Sequence, residues 1–316
     1  MLTETPWPDE GEKARSGGRE EDINRFVIRL GYPAQNLSIP AGTNHSCRLA
    51  SLADVEKVRA LVWENMTALE AILRWNAERG IWLFRMGQAM VPFASHPSFP
   101  YDWEEEHGED LRCIGELARS LGIRLSMHPG QFIQPGSPKP GTSERSLAEL
   151  RYVSRLFDLL GSDDSVMVLH MGGAYEDRAE TARRFVEVMK PHEDILKYLA
   201  LENDERVWAI GEIVSTATAL GVPAILDAFH HGIHPGGLTL GEALELAIPT
   251  WEGHGRPKLH LSSQDPHKRS GGHAYLVDTA DYGTLVAALD GREADVMVEA
   301  KGKEEALAAL GVEMRV

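Results

Sequence analysis

Eight short apolar runs alternate with longer stretches of helical periodicity along most of the chain. Polar, glycine or proline residues bound each run, which is typical of the buried strands of a parallel sheet. Strands that alternate with helices pair in parallel, and eight such units close into a barrel. The pattern therefore predicts an α/β protein with a single (β/α)8 barrel of the TIM type. The predicted strands occupy residues 27–33, 82–87, 124–130, 166–173, 199–204, 224–231, 257–263 and 295–302.

Capping residues delimit the helices between these strands. One helix is predicted from Asp54, a favourable N-cap, to Gly80. Others are predicted over 143–161 and 205–221, and each ends at a glycine. No internal sequence repeat is visible beyond the alternation itself.

Length and the first strand favour the barrel over an open doubly wound sheet. The predicted elements run from residue 27 to about residue 304, close to the length of about 250 residues usual for such a barrel. An open sheet would need a glycine-rich phosphate fingerprint after its first strand, and GYPAQN, residues 31–36, is not one. We expect one barrel domain over residues 25–316, preceded by a poorly ordered polar extension over residues 1–24.

The composition is typical of a cytoplasmic protein. No apolar run reaches the roughly 18–20 residues of a membrane helix, and the first residues lack the basic-then-apolar pattern of a secretory signal. The two cysteines, Cys47 and Cys113, form no CxxC motif and are expected to be reduced. We expect a cytoplasmic monomer without membrane contact. The net charge of −16, taken alone, argues against nucleic-acid binding, which needs basic surface.

Titratable side chains follow seven consecutive predicted strands, the second to the eighth. In a parallel barrel, that end of the strands forms the catalytic face. One histidine there would most often be a hydrogen-bonded structural residue, but so many groups at one mouth need a common explanation. They are His96, His128, His170, Glu202, Asp227, His230, His231, Lys258, His260, His273, Glu299 and Lys301.

Divalent metal ions would explain this cluster, because they turn mutually repelling carboxylates into ligands. Imidazole and carboxylate without thiolate exclude zinc-finger and iron–sulfur sites and suit Mn²⁺, Zn²⁺, Fe²⁺ or Co²⁺. About eight or nine candidate ligands exceed one octahedral site, so two or three ions are predicted. Paired ions about 3.5–4 Å apart are a common device for splitting phosphodiesters.

Lys258 is the unusual member of the cluster, because strand alternation places it on the same face as His260. Bound cations would repel its ammonium group. Lys258 could face a substrate phosphate, pair with one of the carboxylates, or lose its charge. N-carboxylation would turn it into an anionic partner of the site.

Eight motifs, in order and spanning residues 27–304, together resemble those of the UV damage endonucleases. They read RLGYPAQN, FRMGQAMVPFASHP, LSMHPGQF, LHMGGAY, LENDER, DAFHH, KLHLSSQDP and DVMVEAKGKE. The resemblance implies a TIM barrel related to endonuclease IV, acting on damaged double-stranded DNA at the nucleoid. It also implies a nick immediately 5′ to cyclobutane pyrimidine dimers, (6–4) photoproducts and abasic sites, which leaves a 3′-hydroxyl.

The resemblance also implies the metal site. The ion would be Mn²⁺, with Zn²⁺, Co²⁺ or Mg²⁺ as possible substitutes, and Lys258 would be the modified lysine, N6-carboxylysine. Catalytic roles would fall on Glu202, Lys258 and Glu299, whereas His231 is left without a role. The implied ligands are His96, His128, His170, Glu202, Asp227, His230, His260, His273 and Glu299.

Four further residues match positions that read the lesion in this family. Gln131 and Phe132 would enter the duplex beside the damage, where Phe132 stands in place of the tyrosine of relatives and keeps the stacking surface. Tyr32 and Asn36 would contact the flipped lesion. A photoproduct is already poorly stacked, so flipping it out costs less than the few kcal/mol that a normal base requires.

The acidic composition is compatible with DNA binding if metal ions make the mouth electropositive. Basic side chains near the strand ends would then hold phosphates, and these are Arg85, Lys139, Lys258, Lys268, Arg269 and Lys303. Two other functions stay open at this point. One is a metal-dependent sugar isomerase or epimerase on the same barrel, and the other is a damage-binding module with a residual metal site.

Overall fold

Eight parallel strands close into a barrel in the computed structural model, which describes residues 27–311. Each strand pairs with its neighbours in chain order, and the last strand pairs with the first. This confirms the predicted (β/α)8 architecture. The strands are β1 (Ile28–Pro33), β2 (Leu83–Met86), β3 (Arg124–Met127), β4 (Val166–His170), β5 (Leu199–Glu202), β6 (Ala224–Asp227), β7 (Lys258–Leu261) and β8 (Ala294–Val298).

A helix follows every strand of the barrel and covers its outer surface. The helices are α1 (Val55–Glu78), α2 (Trp103–Leu121), α3 (Pro140–Leu160), α4 (Arg178–Met189), α5 (Ile210–Leu220), α6 (Leu240–Ala247), α7 (Thr279–Leu289) and α8 (Lys303–Ala309). Short helical turns occupy Leu49–Ser51, Glu193–Leu196, Ala228–Ile233 and Ile248–Trp251, and Gln35–Asn36 pairs with Ala41–Gly42 as a small hairpin after β1. Among residues 27–311, no helix combines the length and apolar character that a membrane span needs.

Local sequence explains where the helices begin and end. Asp54 caps α1 as predicted, since its side chain accepts a hydrogen bond from the Lys57 N–H at 3.2 Å. The predicted start of α5 at residue 205 is wrong. The Asp204 side chain accepts hydrogen bonds from the N–H groups of Val207 and Trp208, which holds this segment in a turn.

One glycine permits the closure of the barrel between β1 and β2. A Cβ atom at Gly31 would lie 2.3 Å from the backbone oxygen of Leu83 on the neighbouring strand. Any larger residue would push the first two strands apart, so the seam of the barrel requires glycine here.

A buried ion cluster braces the end of the barrel where the strands begin. Asp295 is fully buried and accepts two hydrogen bonds from Arg29 at 2.6 and 2.8 Å and one from Arg124 at 2.9 Å. Arg256 forms a third ion pair with it at 3.2 Å. Removing the shared carboxylate would take away a buried negative charge that faces three guanidinium groups, a change that typically costs about 3–5 kcal/mol.

Several predicted strands extend further than the observed ones. The largest error concerns residues 228–231, which were expected to continue β6 but belong to the helical turn Ala228–Ile233. The Asp227 side chain accepts a hydrogen bond from the His230 N–H at 2.8 Å and so starts this turn. The polar extension predicted over residues 1–24 lies outside the described residues.

Candidate metal centre

A cavity of about 660 Å³, here called the mouth cavity, opens where the strands end. The strands of the barrel position the side chains that line this cavity or lie directly beneath it. His170, Glu202 and Asp227 are the last residues of β4, β5 and β6, and His128 and Glu299 directly follow β3 and β8. The expectation that separate strands bring these groups to one face therefore holds in the structure.

Seven of the nine expected ligands form three groups whose ligand atoms lie within 4.8 Å of one another. Glu202 belongs to all three groups. The groups are His128–His170–Glu202, Glu202–Asp227–His230 and Glu202–His260–Glu299.

Glu202 lies at the centre of this arrangement and is only 1% exposed. Its Oε2 atom lies 3.0 Å from Nε2 of His128 and 3.4 Å from Nε2 of His170. Its Oε1 atom lies 2.5 Å from Nδ1 of His260. One carboxylate is thus shared among three imidazoles, the position expected of a bridging ligand.

Two buried ligand atoms have no hydrogen-bond partner among the described residues. They are Oδ2 of Asp227 and Nε2 of His260, both on fully buried side chains. Leaving such atoms unpaired costs about 1–3 kcal/mol each. A cation held by these atoms would remove that penalty, so the residues present fit divalent metal ions.

The carboxylates of the cluster are held in their ionised form. Burial opposes ionisation, but the imidazoles of His260 and His170 bring the pKa of Glu202 well below its usual range. Burial is likewise outweighed at Glu299, where Arg85 and His260 bring the pKa well below its usual range. Both groups are therefore ready to act as metal ligands at neutral pH.

Two imidazoles of the cluster hold protons more tightly than a free histidine. Burial works against this, but Asp227 and Glu202 raise the pKa of His230 to about 9. Glu202 and Glu299 raise the pKa of His260 in the same way, again against burial. Each of these two histidines would have to lose its proton before it could bind a cation.

Asn203 supports the cluster and was missed by the sequence analysis. Its side chain donates a hydrogen bond to the Asp227 backbone oxygen at 3.1 Å and accepts one from the Asp227 N–H at 2.9 Å. Its own backbone oxygen lies 3.2 Å from Nδ1 of His230. Asn203 thus orients two candidate ligands, and its place after Glu202 in the LEND motif was the available signal.

Lys258 is 2% exposed and lies below the mouth cavity, with its Nζ donating a hydrogen bond to Oγ of Ser126 at 2.5 Å. Burial, with Arg124 and Arg85 nearby, lowers the pKa of Lys258 well below its usual range. The expected contact with DNA phosphates is wrong for this residue, because a buried amine cannot reach the DNA backbone. A neutral amine is the form that its surroundings favour.

His96 and His273 stand outside the three groups. His273 lines the mouth cavity, and its Nδ1 lies 3.0 Å from the Glu299 backbone oxygen. His96 lines a neighbouring cavity, where its Nδ1 accepts a hydrogen bond from the Ser98 N–H at 3.1 Å. Their metal-binding roles stay predictions. His231 is buried and faces away from the cluster, beside a cavity formed with Leu238 and Leu261.

Tyr32 and Asn36, expected to contact the lesion, are buried. The Tyr32 hydroxyl is fully buried, donates a hydrogen bond to Asn76 and accepts one from Asn36, both at 2.7 Å. Oδ1 of Asn36 accepts hydrogen bonds from the backbone of Ser38 and Ile39. In this conformation the two side chains cannot touch DNA, and they instead fix the hairpin after β1.

Gln131 and Phe132 are the exposed residues of a loop, residues 128–134, here called the ridge. Gln131 lines the mouth cavity, and Phe132 lines the cavity next to it. Phe132 is 65% exposed, which is unusual for a large apolar ring. Both residues thus lie at the surface beside the mouth, and their expected entry into the duplex stays a prediction.

Basic groups at the mouth differ from the expected set. Arg85 forms an ion pair with Glu299 inside the site. Lys268 forms an ion pair with Asp265 at 2.6 Å. Lys303 lines the mouth cavity, together with the exposed Arg206, which the sequence analysis missed.

Comparisons with known proteins agree with this geometry. A family model described as UV-endonuclease UvdE matches residues 28–315. The UV DNA damage endonuclease of Clostridium perfringens is 29% identical over 88% of this chain and 68% of its own length. The UV DNA damage endonuclease of Bacillus pumilus is 30% identical over 90% of this chain and 93% of its own length.

Solved structures give the same result. The crystal structure of SacUVDE superposes with a TM-score of 0.85 at 31% identity and covers 90% of this chain and 96% of that chain. Endonuclease IV from Thermus thermophilus reaches a TM-score of 0.55 at 16% identity, covering 90% of this chain and 97% of that one. The 3-keto-D-glucoside 4-epimerase of E. coli reaches 0.56 at 13% identity, covering 90% and 99%. The last two similarities concern the fold alone.

Proposed function

Because the chain belongs to the UV-endonuclease UvdE family and is an endonuclease of UV-damaged DNA, we propose that it cuts immediately 5′ to the lesion. Its substrates are cyclobutane dimers, (6–4) photoproducts and abasic sites in double-stranded DNA, and the product carries a 3′-hydroxyl. The observation that carries this proposal is the set of three ligand groups sharing Glu202 at an open mouth. We propose further that residues 25–316 act as one monomeric nuclease domain at the nucleoid.

The proposed cofactor is two or three Mn²⁺ ions, with Zn²⁺, Co²⁺ or Mg²⁺ as substitutes. When bound, such ions supply positive charge to the attacking and leaving oxygens of a phosphodiester. His128, His170, Asp227, His230, His260 and Glu299 would hold them, with Glu202 as the shared ligand and His96 and His273 as outer ligands. Arg85, which now pairs with Glu299, would be free to turn toward the substrate once cations balance that carboxylate.

The ridge would recognise the lesion through the ease of distorting the duplex. Insertion of Gln131 and Phe132 would stabilise the opened, kinked DNA, and the damaged nucleotides would turn into the mouth cavity. Selection by deformability suits an enzyme that accepts chemically different lesions. Tyr32 and Asn36 would support the mouth from below unless the hairpin after β1 opens to expose them.

We propose that Lys258 is N-carboxylated in the active enzyme. Its neutral Nζ would attack carbon dioxide, form a new N–C bond and release one proton to solvent. The carbamate would add a negative charge near Glu299. Carbon-13 NMR of protein equilibrated with labelled bicarbonate should show a carbamate signal that Lys258→Ala abolishes. A signal that persists in the variant, or none in the native protein, would refute the assignment.

Cleavage of a duplex with one defined thymine dimer tests the proposed function. We expect a single nick 5′ to the dimer that chelation abolishes and added Mn²⁺ restores. Glu202→Gln should lower kcat by about a thousandfold or more, because metal ligation contributes several kcal/mol to the transition state, while damaged DNA still binds. The exposed Glu187→Gln on α4 is the matched control and should cut normally.

Two results would contradict the proposal. One is a metal-loaded protein that cuts no damaged duplex, and the other is a Glu202→Gln variant that cuts at the native rate. The alternative of a sugar epimerase is supported only by a shared fold at 13% identity. Isomerisation of free sugars by the metal-loaded protein would support the epimerase alternative.

A further inference from the structure

The mouth cavity must supply a proton as well as positive charge if the protein cuts DNA as proposed. The bond that breaks joins phosphorus to the 3′-oxygen of the nucleotide before the lesion, and an unprotonated 3′-oxygen would depart as a strongly basic alkoxide. A positioned acid that protonates a reacting oxygen typically contributes about 10²–10⁴-fold to the rate. One of the side chains that line the cavity should therefore hold a proton for that oxygen.

Most titratable side chains of the mouth cavity are unsuited to this task. The histidines and Glu299 are expected metal ligands, and a ligand must be free of its proton at the coordinating atom. Arg85 and Arg206 line the cavity but hold their protons too tightly to release them. Asp204 accepts hydrogen bonds from backbone N–H groups with both of its carboxylate oxygens. Glu205 forms an ion pair with Arg206, with Oε1 3.1 Å from Nε, so both acids act as acceptors.

Lys303 remains, and within residues 27–311 it is the lysine that lines the mouth cavity. It is half-buried and begins α8, four residues after Glu299. Its backbone is left-handed, with a φ of 50°. Such a conformation is uncommon for residues other than glycine, and strain of this kind is concentrated at functional sites. A lysine at a position where glycine would relieve the strain indicates a role for its side chain.

The surroundings of Lys303 suit an amine that carries a proton and can give it up. Burial and the Arg85 guanidinium lower the pKa of Lys303 below its ordinary value, and Lys301 acts in the same direction. The carboxylates of Glu299 and Glu304 work against this change and favour the charged amine. A lysine whose pKa is brought closer to neutral pH donates its proton more readily than a free amine does.

We propose that Lys303 is a catalytic residue that gives its proton to the leaving 3′-oxygen, an inference that rests on the proposed function. A water molecule loses one proton to solvent and bonds to phosphorus through its oxygen, while the bond between phosphorus and the 3′-oxygen breaks. The 3′-oxygen keeps the electron pair of that bond and takes a proton from Nζ of Lys303, which forms the 3′-hydroxyl. The neutral amine then regains a proton from solvent.

A thymine-dimer duplex with sulfur in place of the leaving 3′-oxygen tests this role. A thiolate leaves readily without a proton, because the pKa of a thiol is only about 8.5. The oxygen and sulfur duplexes are cut by the full-length, Mn²⁺-loaded native protein and by Lys303→Gln under single-turnover conditions. We expect the variant to cut the oxygen duplex about a hundredfold more slowly than native protein, as for loss of a general acid, and the sulfur duplex at nearly the native rate.

Two further variants separate proton donation from positive charge alone. Lys303→Arg keeps the charge that a phosphate contact needs but holds its protons too tightly to donate one, so it should cut the oxygen duplex as slowly as Lys303→Gln. The exposed Lys190→Ala, directly after α4, is the control and should cut both duplexes at the native rate. Thermal unfolding and binding of damaged duplex establish that each variant is folded and holds its substrate.

The outcomes separate this inference from the proposed function. Equal losses on the two duplexes, or native rates of Lys303→Gln or Lys303→Arg on the oxygen duplex, would overturn the role of proton donor and leave the nuclease assignment intact. Absence of cutting by the native protein would instead refute the proposed cleavage itself. A loss that is confined to the oxygen duplex and shared by both variants supports proton donation by Lys303.

Discussion

Glu202 concentrates the chemistry of the site in one side chain. It lies within reach of His128, His170 and His260 and belongs to each of the three potential metal-binding groups found among residues 27–311. Buried carboxylates of the same cluster raise the pKa of two of its imidazoles, His230 and His260, against the effect of burial. Cations and protons therefore compete for the same atoms.

This competition predicts pH-dependent metal binding. A histidine must be neutral to act as a ligand, and the pKa of His230 is about 9. The apparent affinity for Mn²⁺ should therefore rise with pH until about 9, and binding at pH 7 should release protons. Calorimetric titration in two buffers with different ionisation enthalpies measures that release, and equal heats in both buffers would contradict the prediction.

Strand-end position predicted seven candidate metal ligands, and the structure brings these seven side chains together, because the strands of a parallel barrel all finish at one face. It could not predict that Tyr32 and Asn36 are buried. Their burial depends on the hairpin after β1, which Glu304 fixes by accepting hydrogen bonds from the Leu37 and Ser38 N–H groups at 2.6 Å. A contact between residues some 266 positions apart leaves no local signal in the sequence.

The helical turn Ala228–Ile233 gives two adjacent histidines different surroundings. His230 faces Asp227 and Asn203, whereas His231 lies beside Leu238 in a separate cavity. In a continued strand the two histidines would also point to opposite sides. The helical turn differs because it brings His230 next to the Asp227 carboxylate, which caps the turn. The element, and not the HH pair itself, selects the candidate ligand.

Alanine substitutions of the two histidines should therefore have different effects. His230→Ala should weaken Mn²⁺ binding by at least about a hundredfold, since changes in the surroundings of a ligand alone cost 10–100-fold. His231→Ala should leave metal binding unchanged and lower the free energy of unfolding by about 1–3 kcal/mol, because it removes a buried side chain. Metal titration and denaturant unfolding measure the two effects, and similar metal affinities in both variants would refute this assignment.

The ridge owes the position of its exposed ring to Gly130. Gly130→Ala should displace Phe132 and lower the affinity for damaged duplex by about tenfold, at the lower end of the roughly 1–3 kcal/mol of base–aromatic stacking. Stability should change by no more than about 0.5 kcal/mol, because the ring can rotate away. Gly241→Ala, where a Cβ atom meets nothing within 4 Å, is the control. Equal affinities of the two variants, measured by fluorescence anisotropy, would show that the ring position is irrelevant to binding.

Elements were predicted better than their ends. All eight strands exist because each needs only a short buried run, which the sequence displays directly. Where a strand stops depends on side chains that capture the next backbone groups, such as Asp227 and Asp204. These side-chain hydrogen bonds to the backbone depend on three-dimensional geometry, which the sequence does not display. The predictions for residues 228–231 and for the start of α5 were therefore wrong.

Charge is distributed unevenly over the whole molecule. The chain carries a net charge of −16, yet the lining of the mouth cavity balances three basic residues, Arg85, Arg206 and Lys303, against three acidic ones, Asp204, Glu205 and Glu299. The mouth is therefore less acidic than the molecule as a whole, and bound cations would make it the face through which we expect DNA to approach. The negative net charge therefore does not exclude DNA binding, although composition taken alone argues against it.

The affinity for damaged DNA should fall steeply as salt concentration rises. Arg206→Gln should reduce the slope of log K against log salt by about one, because one phosphate contact is lost. The matched control, Arg112→Gln, lies on α2 in ion pairs with Glu109 and Glu116 and should leave the slope unchanged. Binding isotherms at four salt concentrations decide between these outcomes, and identical slopes for both variants would remove Arg206 from the DNA interface.

Arg124 belongs to the closed end of the barrel, where sequence changes usually affect folding alone. Its guanidinium braces Asp295 and also acts on Lys258, which lies nearer the mouth. Variants of Arg124 can be scored in two ways, by the yield of soluble protein and by the survival of cells under ultraviolet light. We expect some substitutions to preserve the yield and still reduce survival. Substitutions that keep the barrel intact but remove the positive charge would take away one of the influences that, after burial, lower the pKa of Lys258, and we expect repair to weaken in a protein that still accumulates normally.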